Sequence, residues 1–158
     1  MEIDRDWIQI NSQSYIETLL KVFGEFHDAC LRELHLCTGS SVNKNLSMAV
    51  GLGWDYHAKV LFQRQWNNPS AIEISFDEIR KINLAPSPPN YENIIFEATL
   101  LLEDNVVYWA DAGNWRPEDP DCNDTSWIAA GRVKWRDKSE WIGEAPRYGS
   151  FPDSREEL

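Results

Sequence analysis

Three cysteines in 158 residues, with no Cys-x-x-Cys pair, leave this chain without the makings of a disulfide scaffold. Basic residues are scarce, 15 against 26 acidic, and the net charge of −11 opposes the phosphate-driven affinity on which nucleic-acid binders depend. No run approaches the eighteen or so apolar residues that would span a bilayer. The opening MEIDRDWIQI is acidic where a signal peptide needs a basic start. These absences lead us to expect a soluble cytoplasmic protein with no cofactor, no nucleic acid and no membrane among its partners.

What the chain does have is aromatic mass: eight tryptophans, six phenylalanines and five tyrosines. Each can bury about 150 to 250 Å², enough for a core in a single domain spanning 1–158. Tyr15, Ile16, Leu19, Leu20 and Phe23 fall at helical spacing, with Ser12 or Ser14 as N-cap and Gly24 near the stop, predicting a helix over about 12–24. A β-rich core is expected over about 29–136. Leu31, Leu34 and Leu36 alternate, SSVNKN reads as a turn into a hairpin partner at Leu46 to Leu52, and His57 to Gln65 and Ala71 to Phe76 follow as strands. FDEIRKINLA fits a strand continuing after a bulge, through Ile82 and Leu84, or a brief helical turn, through Phe76, Ile79 and Ile82; the strand is favoured. Ile94 to Leu102 and Val106 to Ala110 form a hairpin through Glu103, Asp104 and Asn105, and Trp127 to Arg136 closes the set. The tail from 143 to 158, rich in Pro, Gly and charge, is expected to pack loosely. The fold class is α+β: an N-terminal helix on a curved, mostly antiparallel sheet or β-roll of six to eight strands.

The chemistry-bearing residues form two groups. HDACLRELHLC sets His27, Asp28, Cys30, His35 and Cys37 within eleven residues. Metal ligands drawn from His27, Cys30 and His35 lack the two-close-pairs spacing of a zinc site, and in a regular strand Cys30 faces away from His35 and Cys37. No metal is expected. A Cys and His nucleophilic pair lacks an orienting third group, so small apolar roles for the cysteines and hydrogen bonds for His27 and Asp28 are the simpler account. In PEDPDCND, Asp119, Asp121 and Asn123 match the first oxygen positions of a calcium loop. The sixth and twelfth positions, Asp124 and Ala130, do not.

The second group also gathers Glu118, Asp119, Asp121 and Asp124 near Trp109, Asp111 and Trp115. Acids beside aromatic anchors are what a basic protein surface grips. Trp109 in its strand can instead lie in the core, the core is the better placing for Trp54, Trp127 and Trp135, and Trp115 sits in a loop and is the preferred exposed anchor. Three readings follow. The first is a non-enzymatic binding protein that meets a basic partner. The second is a small-molecule or carbohydrate-binding module using exposed tryptophans. The third is a hydrolase built on two facing carboxylates, which needs one raised pKa across a cleft.

The run FHDACLRELHL after a short helix, with NPSAIEISFDEIRKINL, IIFEATLLLEDNVVYWAD and WIAAGRVKW, resembles in outline a loose class of small bacterial proteins. Several of these are immunity proteins of polymorphic toxin systems. The resemblance implies a helix packed on a β-rich domain and inhibition of a toxin by direct binding, with no catalytic residues.

Overall fold

A computed structural model describes residues 6–119 and 122–149 and has the α+β architecture. The helix α1 spans Gln13–Val22. Ser12 caps it by accepting the Tyr15 N–H, so one orphan donor of the first turn is satisfied. Its apolar stripe buries Ile16 and Leu19, and Phe23 follows at the C-cap, fully buried.

The strands are β1 (Ile8–Gln9), β2 (Ala29–Cys37), β3 (Ser41–Val42), β4 (Met48–Ala49), β5 (His57–Arg64), β6 (Ala71–Asn83), β7 (Thr99–Glu103), β8 (Val106–Ala110) and β9 (Trp127–Asp137). An antiparallel sheet runs β2-β5-β6-β9-β8-β7, and β1 adds to β9 beyond the end of β8. The helix lies on one face, over Phe62, Ile72, Ile74, Phe76, Trp109, Ile128 and Trp135, which with Phe23 and Phe26 make the main core. Phe26 meets Phe62 edge-on at 5.1 Å, and Phe62 meets Trp109 at 5.0 Å. Arg64 fastens the helix end to the sheet: its Nε donates to Pro69 O, its Nη2 to Val22 O, and its guanidinium lies 4.8 Å from the Phe23 ring.

The expected bulge in FDEIRKINLA is present. Glu78 adopts φ 54°, the register shifts between Ile79 and Lys81, and the strand runs on to Asn83. The β7–β8 turn places Asp104 and Asn105 at φ 51° and 63°, the left-handed pair that a two-residue hairpin requires.

Five expectations differ from the structure. The strand expected from Ile94 begins only at Thr99, residues 94–98 making a single bridge from Ile95 to Ala29. The hairpin between β2 and residues 46–52 does not form: β2 pairs with β5, and the chain between them leaves the sheet as a two-stranded arm, β3–β4. Arm residues cover too little surface to bury their apolar side chains, and Leu46, Met48, Val50 and Leu52 are all exposed. Trp54 is 58% exposed rather than in the core, because it packs on the Arg80 guanidinium, 3.3 Å from the ring centroid. A second bulge, between Leu31 and Glu33, reverses the side-chain parity of β2. Cys30 opposite Gln63, Glu33 opposite Leu61, His35 opposite Lys59 and Cys37 opposite His57 therefore share the face away from the helix. Finally, the tail is tied down as far as Tyr148. Glu33 accepts the N–H groups of Arg147 and Tyr148, and Gln63 donates to Trp141 O and Gly143 O. Residues 150–158 lie outside the described residues.

Candidate functional site

The two sequence clusters fare differently. In the first, His27 turns its Nδ1 to Phe96 O at 2.7 Å and its Nε2 toward Asp28 at 3.5 Å, so both residues serve the junction between helix and strand. His35 Nε2 stands 3.2 Å from Cys37 Sγ. Among the described residues no three His, Cys, Asp or Glu side chains converge on a point that could hold a metal ion, and Cys30 and Cys37 are free thiols.

In the second cluster both proposed anchors are buried. Trp109, 1% exposed, belongs to the main core, and its register partners Leu100 and Ile128 put it on the helix side of the sheet. Trp115, 4% exposed, is the correction with the larger consequence. Its loop folds back over the opposite face, pinned where the Trp115 N–H donates to Thr99 Oγ1, and the ring packs 5.0 Å from Trp127 and 6.1 Å from Tyr108. Together with Ala110 and Ala129 these rings form a second, smaller core. Neither tryptophan can serve as a platform for a sugar ring or as an anchor for a partner.

The acids separate as well. Glu118 and Asp119 join Glu103 of β7 around Arg116. Arg116 Nη2 donates to Glu103 at 2.7 Å, its Nε reaches Glu118 at 3.4 Å, and its backbone N–H bonds Asp119 at 2.9 Å. Asp111 lies at the far end of β8, at a cavity of about 260 Å³ lined by Leu31, Leu84, Pro86, Ile95 and Trp109. Partial loss of water against those surroundings, at a residue that keeps an exposed side, pushes its carboxyl up to about 6. Asp124 ends a short turn of 3-10 helix (Cys122–Asp124), where Asn83 holds the backbone through Asn123 O and Thr125 O. Asp121 lies outside the described residues.

A feature that sequence reading missed reorganises this end of the molecule. Residues 92–124 hold nine acidic side chains and a single basic one, Arg116, and so supply eight of the eleven net negative charges. A running charge count along the chain reveals it without any structure. Part of this charge gathers round Tyr108: burial first, then the charges of Glu103, Asp104 and Glu118, raise the phenol above its usual range, and Arg80 opposes them. Arg80 carries the exposed Trp54 on its other side. The charges that act on Tyr108 are thus those of Glu103, Asp104 and Glu118 against Arg80; Arg116 pairs with Glu103 and Glu118, and the exposed Trp54 stacks on Arg80.

Glu73 is the one fully buried acid among the described residues, and Arg136 neutralises it at 2.7 Å. A facing pair of buried carboxylates is absent among the described residues. No helix among them is long and apolar enough to cross a membrane. No protein-family model, curated protein or solved structure matches this chain.

Proposed function

We propose that this chain is a non-enzymatic binding protein of the cytoplasm that occludes a basic protein partner, in the manner of an immunity protein neutralising a toxin. The observation that carries the reading is the exposed Trp54, held on Arg80, whose charge acts on Tyr108 together with those of Glu103, Asp104 and Glu118. Tryptophan is the residue type most enriched among energetic anchors of interfaces. A grouped acidic surface speeds encounter with a cationic partner by roughly tenfold to a thousandfold at low salt. The arm adjoining Trp54 adds Val50 and Leu52, 65% and 84% exposed, which a partner can cover.

The test is purification of the tagged full chain from its native host together with its genetic neighbours, at low and high salt. The reading expects a stoichiometric basic protein that is released at high salt and that W54A fails to retain. A chain that purifies alone, or a partner that W54A holds as tightly as wild type, overturns it.

A further inference from the structure

The sheet face away from the helix carries a cationic cavity of about 300 Å³, lined by His35, Lys59, Glu73, Arg136, Arg147 and Tyr148. It spans β2, β5, β6 and β9, whereas the acidic surface belongs to β7, β8 and their loops. The bulge in β2 creates it, because without that parity change His35 would face the core side instead of standing opposite Lys59.

Its charge balance is unusual for a chain of net charge −11. Arg136 is paired with Glu73, to which its Nε and Nη2 both donate, while Glu33 accepts the backbone N–H groups of Arg147 and Tyr148 and keeps its negative charge at the edge of the cavity. Lys59 and Arg147 remain: neither enters an ion pair among the described residues, and Arg147 Nε is buried there without a hydrogen-bond partner. A buried donor left unpaired destabilises the fold, the more so when charged. The wall is completed by Trp141 and Tyr148, whose rings meet at 6.0 Å nearly perpendicular, and by His35, 6.2 Å from Tyr148.

From this arrangement we infer a binding site for a small phosphate-bearing molecule. With the Glu33 carboxylate counted, Lys59 and Arg147 leave the cavity one positive charge in excess; guanidinium and ammonium are the side chains that recognise a phosphate monoester, and the aromatic wall accepts a planar organic part. The site is independent of the partner surface and of whether that surface is used.

Titration calorimetry of the full chain with phenyl phosphate and with inorganic phosphate tests it. Saturable binding is expected, tighter for phenyl phosphate if the ligand is an ester and equal for both if it is free phosphate. K59Q and R147Q should each weaken binding at least about tenfold, the loss of one charge-assisted contact, while K44Q, a cation in the arm turn, leaves it unchanged. In the wild-type protein the His35 and Trp141 ring resonances should shift on titration, a readout that does not depend on any variant folding. Failure of both ligands to saturate at millimolar concentration, or wild-type affinity in both K59Q and R147Q, overturns the inference.

Discussion

Removing the carboxylate of Glu73 should be the most damaging single change on the second face of the sheet. Glu73 is 1% exposed and the Arg136 side chain 14%, so neither group can recover its hydration when the other is lost. Deleting one partner of a buried pair costs about 3 to 5 kcal/mol, because a charge stays behind without compensation. The Trp7 ring, 4.2 Å from the Arg136 guanidinium, offsets part of that and places E73M near the lower end, about 3 kcal/mol. With a urea m-value of about 2 kcal/mol/M for a chain of this size, the midpoint should fall by about 1.5 M. The double variant E73M/R136M removes both charges and should recover to within about 1 kcal/mol of wild type, since the desolvation cost disappears with the attraction. Urea unfolding followed by tryptophan fluorescence reads both. A midpoint within about 0.5 M of wild type for E73M, or a double variant as unstable as the single, would show that the pair is not desolvated as described.

Other consequences follow from the same placements. W115A should lose about 3 to 5 kcal/mol in chemical denaturation, as removal of a buried aromatic does, and should still retain a partner under conditions where it is folded. A surface anchor would behave in the opposite way. Asp111 holds its proton more tightly in the folded state, up to about 6, than an unfolded aspartate near 3.8 does. Its contribution to stability is therefore greatest at low pH and is lost as pH rises through that window. D111N should flatten the stability profile between pH 4 and 6 and raise the melting temperature at neutral pH; a profile unchanged from wild type would place the carboxyl in water.

The parts of the fold legible in the sequence are those where local pattern and packing agree. Ser12 and the spacing of Ile16, Leu19 and Phe23 fix α1, and Asp104-Asn105 fixes the β7–β8 turn, because each signal lies within a few residues of its consequence. The arm was not legible for the converse reason. Residues 46–52 have a strand's pattern, but the neighbour that would bury them, β2, is taken by β5 across a gap of some twenty residues. A single bulge in β2 moved Cys30 to the opposite face from the one that strict alternation gives, a reminder that parity arguments fail at one inserted residue. Trp115 and Trp54 exchanged roles through tertiary contacts alone: a loop residue found Trp127 and Tyr108, and a residue with core composition found only the Arg80 guanidinium. The acidic stretch, by contrast, was available to a charge count and needed only its clustering round Tyr108 to acquire a location.

The central claim is that charge at one end of the molecule, rather than net charge, receives the partner. It is tested most directly by comparing two triple variants of equal net charge for capture of the co-purifying basic protein. E103Q/D104N/E118Q neutralises the end around Tyr108, and E17Q/E140Q/E144Q neutralises exposed acids elsewhere. The account predicts that the first loses the partner at physiological salt and the second keeps it. Equal retention by the two variants, or equal loss, would contradict it.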